Sequence, residues 1–279
     1  MKRVAAAGTE LAVFDRGSGP VLLFVHGFPL DHSMWAPQLE ALAPTHRVLA
    51  PDLRGFGASG PLPEAAAGDG AKLTMEGLAD DLALLLDALG VREPVTLCGL
   101  SMGGYIAWEF VRKHRGRLAR LVLCDTRAAA DSEEVAEGRH KTARRVLAEG
   151  SQVVAGAMLP KLFSNKTLAD QPRLVEQIRH VMLRTNPQSI AAALLGMAER
   201  PDSTPLLSAI DLPTLLIVGA EDAITPAGEM RAMAHAIPAA HLVVIDEAGH
   251  LSPLENPSAV NAALEQFLAK QGATRSQEE

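Results

Sequence analysis

The stretch Gly99–Gly104, with the sequence GLSMGG, decides the fold. It follows the apolar run Val95–Cys98 and precedes a helical pattern, so Ser101 stands at a sharp turn between a predicted strand and a predicted helix. In such a turn the serine hydroxyl projects above the sheet, and glycines flank the serine because side chains at those positions would collide. The pattern G-x-S-x-G in this setting indicates a serine nucleophile.

Further apolar runs surround this turn, and their lack of polar alternation predicts strands that are buried on both faces. The runs are residues 9–15, Val21–Val25, Arg47–Ala50, Val95–Cys98, Leu121–Cys124, Leu215–Val218 and Leu242–Ile245. The first of them can pair with the opening residues as a hairpin. Helical patterns alternate with these runs, at Ser33–Leu42 with Ser33 as the N-cap, Thr74–Leu89, Met102–His114, Pro226–Ala236 and Pro257–Lys270. The alternation predicts an α/β fold with a mostly parallel sheet flanked by helices, while Pro61–Lys72 predicts a surface loop and Gly272–Glu279 a frayed end.

One region, from about Ala128 to Leu207, contains no strand pattern. It holds helical patterns at 133–149, 151–159, 171–184 and 188–199, separated by Gly150, Pro160, Pro187 and Pro201. We expect 128–207 to form a helical cap, or lid, over the carboxyl ends of the strands, on a core domain made of 1–127 and 208–279. The alternative is a helical elaboration that only buttresses the sheet.

A serine hydroxyl needs a base to take its proton, and His250 is the candidate because it follows the last strand run in the sequence Asp246-Glu247-Ala248-Gly249-His250. The histidine in turn needs an acid that holds its tautomer. Asp222, just after the penultimate strand run, fits the chain order serine, acid, histidine. Asp125 at the end of another strand run and Glu221 beside Asp222 are the two rivals.

An oxyanion hole requires two backbone N–H donors that point at the developing charge. One donor is expected from Met102, the residue after the nucleophile, and the other from Phe28, in the loop that follows Val21–Val25. In the same loop, His26 is expected to form hydrogen bonds that hold the loop's shape. A zinc site at His26 and His32 is weakly supported, because no third ligand accompanies them.

Five segments together resemble the α/β-hydrolase superfamily. They are His26–Leu30, Pro51–Ser59, Gly99–Gly104, Gly219–Asp222 and Gly249–His250. Among its members the chain looks most similar to small carboxylesterases, 3-oxoadipate enol-lactonases and cofactor-free haloperoxidases, or perhydrolases. The resemblance implies an eight-stranded sheet with a helical cap after the sixth strand. It also implies that Asp52–Ser59 is a structural loop whose Arg54 pairs with a carboxylate.

The expected reaction is hydrolysis of a small ester, of short to medium acyl chain, through an acyl-enzyme on Ser101, without a metal or other cofactor. A lactonase or a perhydrolase would use the same residues, and a receptor-like protein would hydrolyse slowly. The pocket is expected between the sheet edge and the cap. Apolar residues that could bind the substrate there are Leu30, Trp35, Met158, Leu159, Leu162, Met182 and Met197, although methionine and leucine at helical spacing are more often core residues.

The composition of the 279 residues limits the class of partner. A net charge of −7 with no basic run disfavours nucleic acid and anionic membranes as partners. No stretch approaches the roughly 20 apolar residues of a membrane span, and the N-terminal apolar stretch is too short for a signal peptide. Cys98 and Cys124 lie inside strand runs, which favours free thiols in the cytoplasm over a disulfide. A monomer and a homo-oligomer both remain compatible with the sequence.

Overall fold

The computed structural model describes residues 1–6, 8–62 and 70–269. Most of the predicted loop Pro61–Lys72 and the predicted frayed stretch Gly272–Glu279 therefore lie outside the described residues. No helix of the described chain is long and apolar enough to cross a membrane.

An eight-stranded, mostly parallel sheet forms the centre of the described chain, and it confirms both the predicted parallel sheet and the strand number that the resemblance implies. Its strands are β1 (Lys2–Ala6), β2 (Thr9–Arg16), β3 (Val21–Val25), β4 (Arg47–Pro51), β5 (Val95–Leu100), β6 (Leu118–Cys124), β7 (Thr214–Gly219) and β8 (Ala240–Ile245). Their order is β1-β2-β4-β3-β5-β6-β7-β8. The predicted hairpin is present, because β1 pairs antiparallel with β2, and β2 also pairs antiparallel with β4. Every residue of β5 and β7 is buried, which explains why those runs show no polar alternation.

The register of the parallel strands places their carboxyl ends at one edge. Val25 of β3 lies beside Gly99 of β5, and Leu100 lies beside Cys124 of β6. On the far side of β6, Gly219 of β7 lies beside Ile245 of β8. Chain segments that follow these strands are thereby brought together, although they are far apart in sequence.

Helices between the strands cover the sheet. They are α1 (Ala36–Leu42), α2 (Met75–Ala88), α3 (Met102–His114), α9 (Ala227–Ala236), α10 (Ser252–Glu255) and α11 (Pro257–Ala269). Helix α2 begins as expected, because the hydroxyl of its N-cap Thr74 accepts a hydrogen bond from the amide of Gly77. The predicted start at Ser33 is wrong. A 3₁₀ turn precedes α1, and its N-cap is Asp31, whose carboxylate accepts from the amide of Ser33.

Five helices lie between β6 and β7, where the sequence predicts an all-helical insertion. They are α4 (Glu133–Glu149), α5 (Gln152–Leu162), α6 (Asn165–Asp170), α7 (Pro172–Arg184) and α8 (Pro187–Ala198). Pro160 does not separate two helices as expected, because it lies in the last turn of α5. Helix α6 is not predicted from the sequence. The boundaries 128–207 and the role of this insertion as a lid stay predictions.

Candidate active site

Ser101 occupies a strained turn between β5 and α3. Its backbone has φ 54° and ψ −113°, a conformation that L-residues rarely adopt. The amide of Ser101 donates to the carbonyl of Cys124 at 3.0 Å, and its carbonyl accepts from the Thr126 hydroxyl at 2.8 Å. Bonds to the end of β6 thus hold the turn on both sides of the serine.

The side chains of Ser101, His250 and Asp222 form a continuous hydrogen-bonded chain. His250 Nε2 lies 2.9 Å from Ser101 Oγ, and His250 Nδ1 lies 2.8 Å from Asp222 Oδ2. His250 and Asp222 are buried, whereas Ser101 is partly exposed. This arrangement can take the hydroxyl proton at Nε2 while Nδ1 stays protonated on the carboxylate.

The loop after β7 holds the carboxylate of Asp222 in place. Its Oδ1 accepts from the amides of Ile224 and Thr225 at 2.8 and 2.9 Å, and its Oδ2 accepts from the Thr225 hydroxyl at 2.6 Å. Burial by itself raises the pKa of Asp222, but the positive charge and hydrogen bond of His250 and the bonds from Thr225 outweigh it, so the pKa is lowered. The carboxylate form needed beside an imidazolium is therefore favoured.

The two rival acids make other contacts. Asp125 Oδ1 accepts from the amide of Gly219 at 2.8 Å, and its Oδ2 accepts from the Ser252 hydroxyl at 2.5 Å. Burial, together with the charge of Asp222, raises the pKa of Asp125 well above its ordinary value. The exposed side chain of Glu221 accepts from the amide of Asn165. The structure thus brings Asp222, and neither rival, against His250 Nδ1.

The predicted oxyanion donors, the amides of Phe28 and Met102, follow β3 and Ser101 respectively. Neither amide donates to any acceptor among the residues that the structure describes. Close packing of the two segments requires glycines, since a Cβ at Gly27 would lie 2.8 Å from the Leu100 side chain and one at Gly103 would lie 2.3 Å from the Val25 carbonyl. Both N–H groups therefore remain free to donate, and their role as an oxyanion hole stays a prediction.

His26 and Arg54 have the structural contacts that the sequence predicts. His26 Nδ1 lies 3.0 Å from the Gly27 carbonyl, and its Nε2 accepts from the amide of Leu53 at 3.0 Å. Both ring nitrogens are therefore engaged by backbone. Arg54 forms an ion pair with Asp81 of α2.

The predicted pocket residues are placed as follows. Among these residues, Leu162 forms a hydrogen bond with the triad. Its carbonyl accepts from the amide of His250 at 3.0 Å. Trp35 is fully buried and packs on Phe24 of β3, with 5.1 Å between the ring centroids. Leu30, Met182 and Met197 are buried, and Met158 and Leu159 are half-buried. Their contact with substrate stays a prediction.

Three contributors to the site are missed by the sequence reasoning. The amide of Thr225 donates to the carboxylate of Asp222. Thr225 lies three residues after the aspartate, and an aspartate side chain commonly accepts from a backbone amide that follows it closely in the chain. Met34 accepts a hydrogen bond from the amide of Gly27 through its sulfur at 3.3 Å, next to the Phe28 donor. Glu255 binds the amides on both sides of His250, and no sequence motif considered above includes it.

Comparison with known proteins agrees with the fold. A family model described as the alpha/beta hydrolase fold matches residues 20–257. A thermophilic esterase from Thermogutta terrifontis has a similar structure, with 48% sequence identity and a TM-score of 0.91 over 96% of this chain and 98% of that chain.

Two further relatives carry other activities in their names. The enol-lactonase from Burkholderia xenovorans LB400 is 32% identical, with a TM-score of 0.87 over 96% of this chain and 100% of that chain. A putative non-heme bromoperoxidase, BpoC, from Mycobacterium tuberculosis is 31% identical over 269 residues, which are 93% of this chain and 98% of the relative. The named activities thus differ among relatives that align along nearly their whole length.

Proposed function

The chain belongs to the α/β-hydrolase family, and from this premise we propose that it is a serine hydrolase that cleaves carboxylic esters of short to medium acyl chain. The observation that carries the proposal is the hydrogen-bonded chain from Ser101 Oγ through His250 to Asp222, with contacts of 2.9 and 2.8 Å. The esterase of 48% identity supports the choice of esters as substrates.

In the first half of the proposed reaction, Ser101 Oγ attacks the ester carbonyl carbon while His250 Nε2 takes the hydroxyl proton. The carbonyl oxygen becomes an oxyanion and accepts hydrogen bonds from the amides of Phe28 and Met102. The tetrahedral intermediate collapses, the bond to the alcohol oxygen breaks, and His250 gives its proton to the leaving alcohol. The product of this half is an acyl-enzyme on Ser101.

In the second half, water attacks the acyl carbonyl while His250 takes one of the water protons. The bond to Ser101 Oγ breaks, that oxygen recovers its proton from His250, and the carboxylic acid leaves. Asp222 remains ionised throughout and stabilises the imidazolium, in keeping with its lowered pKa. The proposed cycle consumes one ester and one water and requires no metal or organic cofactor.

The proposed acyl site is the apolar wall between the sheet edge and α5, α7 and α8. Its proposed lining is Leu30, Trp35, Met158, Leu159, Leu162, Met182 and Met197. We propose a small-molecule substrate and a location in the cytoplasm. The two free, buried cysteines support the proposed location.

A lactonase is the second candidate, because the Burkholderia xenovorans relative of 32% identity is an enol-lactonase. Attack on a lactone follows the same steps, except that the leaving alcohol stays attached to the acyl group. A perhydrolase, for which the bromoperoxidase relative speaks, would let peroxide replace water in the second half.

The proposal is tested by hydrolysis of p-nitrophenyl esters from acetate to decanoate, with wild type and Ser101→Ala side by side. We expect multiple turnovers in the wild type, an optimum at short to medium chains and loss of turnover in the variant. Ser18→Ala is the matched control, because Ser18 is exposed between β2 and β3, away from the carboxyl edge of the sheet.

Other outcomes favour the alternatives. A single burst of nitrophenol without turnover would contradict the esterase and favour a receptor-like protein. Faster acid release from lactones than from any ester would favour the lactonase, and peroxide-dependent product that exceeds hydrolysis would favour the perhydrolase. Retention of turnover in Ser101→Ala would refute Ser101 as the nucleophile.

A further inference from the structure

Glu255, the last residue of α10, binds the backbone on both sides of the candidate base. Its Oε1 accepts from the amide of Gly249 at 2.8 Å and from the amide of Leu251 at 3.3 Å. The residue is 7% exposed, and none of the ion pairs among the described residues includes it. Burial of an unpaired carboxylate is costly, and here backbone N–H groups satisfy it in place of a cation.

The second oxygen of the same carboxylate extends to the helical insertion. Glu255 Oε2 accepts from the amide of Ser164 at 2.7 Å, and Ser164 is the N-cap of α6. One carboxylate therefore joins the His250 loop to the junction of α5 and α6.

Direct contacts between the two backbones reinforce this junction. The Leu162 carbonyl accepts from the amides of His250 and Leu251 at 3.0 and 3.2 Å. A Cβ on Gly249 would lie 2.7 Å from the Ser164 nitrogen, so only glycine allows this approach. The Ser164 hydroxyl also donates to the carbonyl of Glu247 at 2.9 Å. The segment Leu162–Ser164 and the loop 247–251 consequently pack as a single unit.

We propose that Glu255 is a positioning residue, which holds the imidazole of His250 in line with Ser101 by fixing its two neighbouring amides against the Leu162–Ser164 segment. The proposal rests on the proposed function, because it assumes that His250 is the general base. It implies that this junction stays fixed during turnover, so any opening of the insertion takes place outside it.

The first test is Glu255→Gln, which keeps the size of the side chain but turns one acceptor oxygen into a donor that faces an N–H group. We expect kcat to fall about 10- to 100-fold with little change in KM, because a displacement of about 1 Å at a reacting group costs on this order. The rate at which a fluorophosphonate labels Ser101 should fall by a similar factor. Amide hydrogen exchange should rise in peptides that cover 162–166 and 247–252.

Asp81→Asn is the control for the loss of a buried carboxylate. Asp81 is buried on α2 and pairs with Arg54, so this variant should lower the Tm while kcat stays at the wild-type value. The proposal would be overturned if the two variants had equal kcat values and equally lowered Tm values.

A second pair of variants isolates the Ser164 amide, should Glu255→Gln fail to fold. Ser164 has φ −63° and the preceding Phe163 is extended, so the backbone accepts proline at 164. Ser164→Pro removes the N–H that binds Glu255, whereas Ser164→Ala removes only the hydroxyl. We expect a larger loss of kcat in the proline variant, and equal losses would contradict the proposal.

The two levels of inference fail in different ways. If the wild type shows neither turnover nor fluorophosphonate labelling, the proposed function fails whatever the exchange data show. If the wild type is active and neither the kcat nor the exchange of the Glu255→Gln variant changes, only the positioning role fails.

Discussion

The backbone strain at Ser101 is linked to the position of its hydroxyl group. A non-glycine residue at φ 54° costs about 1–3 kcal/mol, and the turn persists because Cys124 and Thr126 bind its amide and carbonyl. The strained conformation directs the hydroxyl toward His250, and Ser101 Oγ lies 2.9 Å from His250 Nε2. A relaxed backbone at this position would move the hydroxyl away from the base.

At the same scale, the acid can be tested by exchanging carboxylates for amides. We expect Asp222→Asn to lower kcat by a factor on the order of 10⁴, because an amide no longer holds the tautomer with a proton on Nδ1 or stabilises the imidazolium. Steady-state kinetics on the best ester of the p-nitrophenyl series measures the effect.

Asp125→Asn is the matched comparison, and it should leave kcat near the wild-type value. The raised pKa of Asp125 favours its protonated form, which asparagine resembles in shape and charge. The amide can still accept from Gly219 and donate to the Ser252 hydroxyl. A large loss of kcat in Asp125→Asn, with little loss in Asp222→Asn, would reverse the assignment of the acid.

Chain order alone favours Asp222 over Asp125, and the structure has the corresponding bond to His250. The reason that Asp125 is turned away lies in tertiary contacts, since its two oxygens bind Gly219 and Ser252. Ser252 is 127 residues distant in sequence, so no local pattern shows this pairing. Glu255 escapes sequence reasoning for a different reason, because its carboxylate binds backbone amides, which the sequence does not distinguish from one another.

At the scale of elements, the turn between β5 and α3 depends on close packing of backbone against backbone. A Cβ on Gly103 would lie 2.3 Å from the Val25 carbonyl and 3.1 Å from the His26 carbonyl. We expect Gly103→Ala to force α3 away from β3, with a loss of about 1–3 kcal/mol of stability from overpacking. We expect kcat to fall by more than the loss of folded protein explains, because the Phe28 and Met102 amides lie beside this contact.

Gly116→Ala is the control for this substitution, because, apart from the adjoining residues of the chain, no atom of the described residues lies within 4 Å of the added Cβ. Its effect on stability should stay within about 0.5 kcal/mol, as for other exposed sites. Urea denaturation and ester kinetics on both variants measure the difference. Equal stability and activity in the two variants would show that the contact between α3 and β3 adjusts without cost.

The long helices are predictable from the sequence, whereas the shortest ones are not. Helix α3 spans Met102–His114 and α4 spans Glu133–Glu149, which are the bounds that the helical patterns predict. Helices α6 and α10 have six and four residues, so they contain too little periodicity to be recognised. Their existence depends on tertiary bonds, such as the one from the Ser164 amide to Glu255.

At the scale of the whole molecule, the alternation of strands and helices predicts the parallel sheet and the helical insertion. The order of the strands is not contained in the apolar runs, because these record burial and not pairing. The order matters for the site, since it places β5 between β3 and β6. Ser101 therefore stands between the strand that leads to Phe28 and the strand that binds its own amide.

The two cysteines provide a test of whether β5 and β6 stay buried in the native protein. Cys98 and Cys124 are free and buried, and burial raises the pKa of both thiols above the ordinary range, so little thiolate forms. We expect no reaction with Ellman's reagent in the native protein and reaction of two thiols per chain in guanidinium. Rapid reaction of either thiol under native conditions would mean that β5 and β6 open readily.

The distance along the chain between nucleophile and base has a consequence for synthesis. Ser101 and His250 are 149 residues apart, and Asp222 precedes His250 by 28. A growing polypeptide therefore contains Ser101 for 149 further residues before its proposed base is made. Under the proposed mechanism, we expect chains that terminate before His250 to lack ester turnover, so the turnover of the purified protein would measure only chains that extend past the histidine.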